Sequence, residues 1–430
     1  MATLLIFVCV LILVVIDVPI AVSLGIVAVA AMLYTQGPGS LANLPIVLYN
    51  GATNFPLITI PLFILAGAIM NASGISRRLI NFVSALLGFV RGGLAMVGIG
   101  ASMFFAEISG SAVAGISALG SILIPAMKAQ GYPAPLAAAV MSSAATLAII
   151  IPPSIPMIIY AVMAETSIVK MFVAGIVPGI LGGFGLMGMA YWFARRYNLP
   201  IDEKFRWPRV WTTLREAAWA LTLPLIILGA IFGGVVTATE GAALAVVAAL
   251  FIGIVVYREL DLAHLKAALI EGGVQTAVVM LLVATSALLG AYLTEAQLPQ
   301  KLAQAVSEFT SNKWVVLGMM NVLFLFLGCF LHSAAAIILV VPVVMPLVNA
   351  VGIDPVHFGL IVTVNLGIGQ QTPPVASVLM VACSISKASV WEVTRVNIWF
   401  IGVLFAVLML VTYVPVTGLG LVNLFYPSAP

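Results

Sequence analysis

Charge is what this chain most lacks. Of 430 residues only 17 are Lys or Arg and 14 are Asp or Glu, 7% in all, where a soluble domain carries about 25%. So few charges cannot wet a globule of this length, and a soluble fold is excluded. The net charge of +3 gives no sign of a nucleic-acid partner. Cysteine is as scarce: Cys9, Cys329 and Cys383 stand in apolar surroundings with no CxxC spacing, which reads as reduced thiols with no redox or metal role. No lysine follows a glycine, so there is no P-loop and no ATP motor in the chain. HExxH and any His/Cys cluster with metal-ligand spacing are absent too.

Apolar sequence is abundant, at 63% hydrophobic residues and a mean hydropathy of +1.23. A helix needs about 20 apolar residues to cross a bilayer. Apolar stretches of that order recur from about residue 3 to residue 426. Some are too long for one crossing and others too short, which predicts about 10–12 spans with broken or re-entrant helices among them. The start, Met1 to Val15, is apolar from residue 4 with no basic residue before it, and reads as a first membrane helix instead of a cleaved signal.

One polar linker, Arg195 to Glu216, holds Arg195, Arg196, Lys204, Arg206, Arg209 and Arg215 against Asp202, Glu203 and Glu216. That basic excess predicts a cytoplasmic loop, and Trp192, Trp207, Trp211 and Trp219 flank it as interfacial aromatics do. The segment from Arg258 to Glu271 is mixed in sign, and Arg77-Arg78 is a second, smaller basic site.

The linker sits near mid-chain, between two halves that share a pattern. The only two Pro-Pro pairs, Pro152-Pro153 and Pro373-Pro374, are 221 residues apart. At the same offset Pro125 matches Pro346 and Gly131 matches Gly352. The predicted fold is an all-α polytopic membrane protein of two pseudo-repeats. The first spans 1–194, with a hairpin at about 99–127 and a broken helix at about 133–163. The second spans 217–430, with a hairpin at about 318–348 and a broken helix at about 356–385. Repeats of this kind are the usual construction of secondary transporters.

Four polar segments interrupt the apolar sequence: Phe104–Gly115, Ser142–Ser154, Gly328–Ala335 and Thr363–Pro374. Each proline lacks an N–H and clashes with the carbonyl four residues back, so a Pro-Pro pair interrupts a helix and frees carbonyls. Free carbonyls are tolerated at membrane depth where they line a cavity or hold an ion. The competing reading is a simple proline kink with its hydroxyls bonded back to the helix. Ser109-Gly110-Ser111 and His332-Ser333 are expected at hairpin turns, where small residues let short helices pack closely. His332 is either packed and hydrogen-bonded or a ligand to substrate or proton. Asp17 and Glu240 read as helix caps; Glu107 is either interfacial or a cation ligand. Neither Pro-Pro segment contains Asp, Glu, His or Lys. Neutral carbonyl, hydroxyl and amide oxygens without a titratable group point to Na⁺ and not to a proton relay.

Ser109-Gly-Ser111, Ile124–Tyr132, Ile151-Pro-Pro-Ser154, Thr237-Ala-Thr-Glu240 and Gln371-Thr-Pro-Pro374, in that order along the whole chain, resemble the large, DctM-like membrane subunit of tripartite ATP-independent periplasmic (TRAP) transporters. His332 stands where a small or polar residue is expected. The resemblance implies an elevator-type transporter, with a scaffold and a mobile domain of two hairpins and two broken helices. It implies sodium-coupled uptake of a carboxylate, such as a C4-dicarboxylate, sialic acid or a sugar acid, across the bacterial inner membrane. It also implies two partners, a small four-helix membrane subunit and a periplasmic substrate-binding protein. Carried over, the sodium and substrate residues are Ser109 and Ser111 in hairpin one, Ser333 in hairpin two, Thr146, Pro152 and Pro153 at the first break, and Asn365, Gly369, Thr372 and Pro373 at the second. Two other readings are a stand-alone ion-coupled anion symporter and an intramembrane hydrolase using Ser111 or Ser333 with His332.

Overall fold

Seven of the described helices begin at a side chain that accepts from a first-turn N–H which the helix itself leaves without a partner: Ser111, Ser167, Thr237, Asp261, Asn312, Asp354 and Ser389. The computed structural model describes residues 8–10, 12–14, 16, 18–201 and 204–427, leaving out the side chains of 107–109 and 307. Of the expected first helix, 8–10 and 12–14 are helical, whereas Asp17 lies outside the described residues. The described residues are helical but for turns and one isolated bridge between Arg91 and Ile201. Ten helices among them are long and apolar enough to cross a membrane.

The first half runs α1 (Ile20–Gln36), α2 (Leu44–Ala52), α3 (Thr59–Ala72), α4 (Ile75–Leu87), a hairpin of α5 (Gly93–Ser109) and α6 (Ala112–Ala129), a broken helix α7 (Ala134–Ile150) and α8 (Ile155–Met163), then α9 (Ile168–Arg196). The second half runs α10 (Trp207–Phe232), α11 (Ala238–Val256), α12 (Leu262–Glu295), α13 (Leu298–Phe309), a hairpin of α14 (Lys313–Phe330) and α15 (Ser333–Ala350), a broken helix α16 (Pro355–Gly369) and α17 (Ser377–Ser386), then α18 (Val390–Tyr413) and α19 (Val416–Phe425). The sequence short, amphipathic helix – hairpin – broken helix – long helix thus occurs twice. The start of α12 is capped by Asp261, which accepts from His264 N at 2.7 Å. That of α16 is capped by Asp354, which accepts from Val356 N at 2.8 Å. Glu240 behaves as its sequence context predicts: it forms a reciprocal capping box with Thr237 at the start of α11. The polar stretch from Arg195 to Glu216 is not one loop. α9 reaches Arg196, and α10 already begins at Trp207, with Pro208 in its first turn, where a missing N–H is harmless.

The hairpins and broken helices form an inner body. α5 packs on α7, α14 on α16, α8 on α15, and α7 crosses α17 and α18. The most apolar stretch of α7–α8 is 89% buried, against 28% for α10, which places the first break at the centre and α10 at the lipid-facing edge. An outer body is built from α12 packed on α1, α2 and α3, with α11 on α3 and α10 on α11. The two bodies are joined in sequence by α4 and α13. α4 buries Ile75, Leu79, Phe82 and Val83 and exposes Arg77. α13 turns Leu302 and Val306 inward and Lys301, Gln304 and Glu308 outward. α4 is fastened to the outer body by Arg78, which donates to Glu259 Oε1 at 2.7 Å and to Gly74 O at 3.2 Å. The guanidinium also lies 3.8 Å from the centre of the Tyr257 ring, whose hydroxyl donates to Glu216 O at 2.9 Å.

Small residues set how closely the inner helices approach. A Cβ on Gly369 would lie 2.4 Å from the Cα of Gly328, so α14 and the end of α16 touch backbone to backbone. Gly369→Ala is therefore expected to lower the thermal unfolding midpoint in detergent by the equivalent of about 1–3 kcal/mol. Gly273→Ala, whose Cβ would meet nothing within 4 Å, should leave it unchanged; equal midpoints for both would contradict the contact. The Arg78 hydrogen bond holds the Glu259 carboxyl below the ordinary carboxylate range. A depressed carboxyl stabilises the fold above its unfolded pKa and loses that contribution as pH falls through the folded value. Glu259→Gln should accordingly flatten the acid-side fall in melting temperature by a small amount, as fits a partly exposed pair.

Candidate solute and cation site at the hairpin tips

Each Pro-Pro pair leaves two carbonyls without the N–H that would close the helix, those of Ala148 and Ile149 in α7 and of Gly369 and Gln370 in α16. Both pairs are joined by a cis peptide bond. Three of these four carbonyls find other donors. The Ser154 hydroxyl donates to Ile149 O at 2.8 Å. Thr372 N donates to Gly369 O at 2.9 Å, and Val378 N to Gln370 O at 3.1 Å.

Just beyond each pair, a backbone amide reaches the neighbouring hairpin tip. Ile155 N donates to Gly110 O at 3.4 Å, and Val375 N donates to Cys329 O at 3.2 Å. Gly110 makes the first approach possible: its φ is +56°, and a Cβ there would lie 3.1 Å from Pro153 O. At the second tip Gln370 Nε2 also donates to Ser333 Oγ. The two tips and two breaks are thus one connected unit, built the same way twice.

A cavity of about 470 Å³ opens between the tips. Ser111, which caps α6, and His332 and Ser333, which open α15, line it together with Gln370. The opposite wall belongs to the outer body and carries Asn71, Glu271 and Gln275. No Lys or Arg is among the lining residues. The positive potential here comes from the first-turn N–H groups of α6 and α15, equivalent to about half a charge per helix.

The expected site residues separate into groups. Ser111 and Ser333 line the cavity. Ser109 ends α5 at the tip, and its side chain lies outside the described ones. Pro153 turns its carbonyl to Gly110, while Pro152 borders a separate apolar cavity of about 410 Å³ with Met103 and Phe184. Thr146 is buried in α7, its hydroxyl bonded back to Ser142 O at 3.2 Å and its methyl group against Gly367. Thr372 likewise donates to Ile368 O at 2.8 Å. Gly369 and Pro373 belong to the second break, Gly369 against Gly328. Asn365 is fully buried; its amide donates to Asn321 Oδ1 at 2.7 Å and Ile361 O at 2.8 Å, and its Oδ1 receives no donor among the described residues. Gln370 Oε1 is buried without a donor as well. Orphaned neutral oxygens beside a helix break have the chemistry a small hard cation requires.

Several polar residues here were not singled out from the sequence. Ser143 Oγ lies 2.8 Å from both Gln371 Oε1 and Asn397 Oδ1, tying α7 to the second break and to α18. Asn321, which also donates to Thr412 Oγ1 at 3.1 Å, connects α14 and α18 to Asn365. His332, which did stand out in the sequence, opens onto the cavity and is not packed away. Glu271 was hidden in a mixed-charge segment. The signal that would have found it is Asp261, a helix cap ten residues earlier, which places Glu271 about 15 Å down α12.

Comparison with known proteins agrees with this geometry. The family model described as "Tripartite ATP-independent periplasmic transporter, DctM component" matches residues 7–417. The isethionate TRAP transporter permease protein DctMQ of Oleidesulfovibrio alaskensis is 40% identical over 407 residues, 93% of this chain but only 63% of that one. The C4-dicarboxylate TRAP transporter large permease protein DctM of Pseudomonas aeruginosa is 39% identical over 90% of both chains. The sialic acid TRAP transporter large permease protein SiaM of Vibrio cholerae is 38% identical over 95% of both. The crystal structure of the Alcanivorax borkumensis YdaH transporter aligns with a TM-score of 0.62 at 16% identity, over 93% of this chain and 91% of that one, a likeness of fold alone. Two repeats that each join a hairpin tip to a Pro-Pro break, and a family match over nearly the whole length, lead to one conclusion: the chain belongs to the DctM family of TRAP transporter large permeases and is a multi-pass protein of the bacterial inner membrane.

Proposed function

We propose that this chain carries a small organic carboxylate across the inner membrane, driven by a sodium gradient, as the large subunit of a three-part system. The observation that supports it best is the single cavity of about 470 Å³ bounded by both hairpin tips, of a size suited to a small solute. Two helix N-termini and a set of hydroxyl and amide groups face a carboxylate there, with no basic side chain to trap it. Sodium supplies the missing positive charge. Asn365 Oδ1, Gln370 Oε1 and the carbonyls at the two breaks are its candidate ligands, all neutral, so that the ion is held by dipoles and is released when they part.

The carrier step follows from the packing. Tips and breaks hold each other through Ile155 N–Gly110 O and Val375 N–Cys329 O, so cargo, cation and inner body move together. The outer body of α1–α3 and α10–α12 stays with the bilayer, and α4 and α13 absorb the displacement as an elevator requires. The basic end, where Gly92 N donates to Pro200 O at 3.1 Å and Arg91, Arg195 and Arg196 gather, faces the cytoplasm. The relatives named for C4-dicarboxylate, sialic acid and isethionate are all permeases of anionic solutes, and the family's name calls for a periplasmic partner. A small four-helix membrane subunit and a periplasmic substrate-binding protein complete the system.

Reconstitution into liposomes with and without the small subunit and the binding protein tests this directly. Uptake that needs an inward sodium gradient and both partners is the expected result. Uptake without the binding protein would identify a stand-alone symporter, and sodium-independent uptake would remove the coupling ion from the proposal. Asn365→Ala and Gln370→Ala should each raise the half-saturating sodium concentration about tenfold, the loss of one good ligand, while insertion and folding persist. An unchanged sodium dependence in both variants would move the cation site elsewhere.

A further inference from the structure

Among the described side chains, Glu271 is the one acidic group lining the cavity. It stands ten residues into α12, about 15 Å from the helix start, in a helix that also carries an apolar membrane span. An acidic residue that faces a cavity from a membrane-spanning helix marks a functional position unless it is paired. Among the described residues no Lys or Arg pairs with it. Its one hydrogen-bonding neighbour is Gln275, whose Nε2 donates to Glu271 Oε1 at 3.4 Å. A Cβ on the next residue, Gly272, would lie 3.5 Å from the Cα of Leu65 in α3, so that side of α12 faces α3 and the carboxylate lines the cavity with Asn71. Asn71 Oδ1 is itself engaged, accepting from Ser76 Oγ at 2.9 Å.

The cavity is therefore chemically two-sided. On the inner body it offers hydroxyls, an imidazole and two helix N-termini; on the outer body it offers a carboxylate and two amides. An anionic cargo can place its carboxylate only against the first wall. Resting on the carboxylate reading above, we infer that Glu271, with Gln275, selects the other end of the cargo: it accepts hydrogen bonds from hydroxyl, amide or ammonium groups and repels a second carboxylate. The cargo is then a monocarboxylate rich in hydrogen-bond donors, such as a polyhydroxylated or amino-substituted acid, in preference to a dicarboxylate. Because Glu271 belongs to the outer body, this selection acts only while the inner body stands opposite it, during loading or release, and leaves the cation ligands untouched.

The test uses the purified full-length chain in detergent with sodium chloride, and measures binding of gluconate, N-acetylneuraminate, succinate and hexanoate by the shift in unfolding midpoint. The wild type should prefer the donor-rich acids. Glu271→Ala should weaken them about tenfold, as loss of a charge-assisted hydrogen bond does, and should bind succinate as well as or better than the wild type; Glu271→Gln should fall between. Unliganded midpoints check that both variants are folded. An unaltered ratio of donor-rich acid to succinate, or a change in sodium dependence in place of that ratio, would overturn the selector role. Binding of none of the four acids by the wild type would overturn the carboxylate reading and this inference with it, whereas binding with an unaltered ratio overturns the inference alone.

Discussion

Everything in this protein's centre follows from four missing N–H groups. Prolines 152, 153, 373 and 374 cannot close the helices they interrupt, and a buried carbonyl left without a donor costs about 1–3 kcal/mol. Lipid offers no donor. The carbonyls must be met by protein or by a cation, and three of the four are met by groups close to the break in sequence: Ser154 Oγ, Thr372 N and Val378 N. Once the chain has turned in this way, the next free amides, those of Ile155 and Val375, reach the hairpin tips. The break and the hairpin are thereby one device, made twice.

In the function proposed above, that device recognises charge without a basic side chain. A lysine or arginine in the cavity would bind a carboxylate strongly at all times, whether or not a cation were present. Helix N-termini and neutral oxygens supply a weaker, directional potential, to which a cation adds what is missing. Under that proposal, loading of solute and ion are mutually dependent, and dependence of this kind is what coupling requires. The buried amide networks, Asn365–Asn321–Thr412 and Ser143–Gln371–Asn397, tie the second break to α7, α14 and α18.

Mobility and rigidity are assigned by residue size. The inner helices meet at Gly328–Gly369 and at Gly367 against Thr146, contacts without room for independent motion. The connecting helices α4 and α13 are amphipathic and bear their charges outward. α4 is held by Arg78 to Glu259 and Tyr257, while the charged side chains of α13 bond near their own helix, Lys301 Nζ to Ala296 O and Gln304 to Glu308. The two connections are equivalent in position but unequal in how firmly they are tied.

The sequence alone determined the solvent, the repeat and the breaks. A charge content of 7% admits only lipid, and doubled prolines stop a helix whatever surrounds them, since the effect is covalent and local. Caps such as Thr237 with Glu240 are legible for the same reason: both partners lie within one turn. What only the tertiary structure decided is which polar atoms face one another. Thr146 and Thr372 lie in the motifs the resemblance marks, yet their hydroxyls bond to their own helices. Asn365 turns to Asn321, 44 residues away. Glu271, unremarkable in a mixed-charge stretch, lines the cavity because Asp261 starts the helix early and the Gly272 side of α12 faces α3. Helix rotation and crossing depend on side-chain volumes contributed by distant parts of the chain, and no local pattern records them.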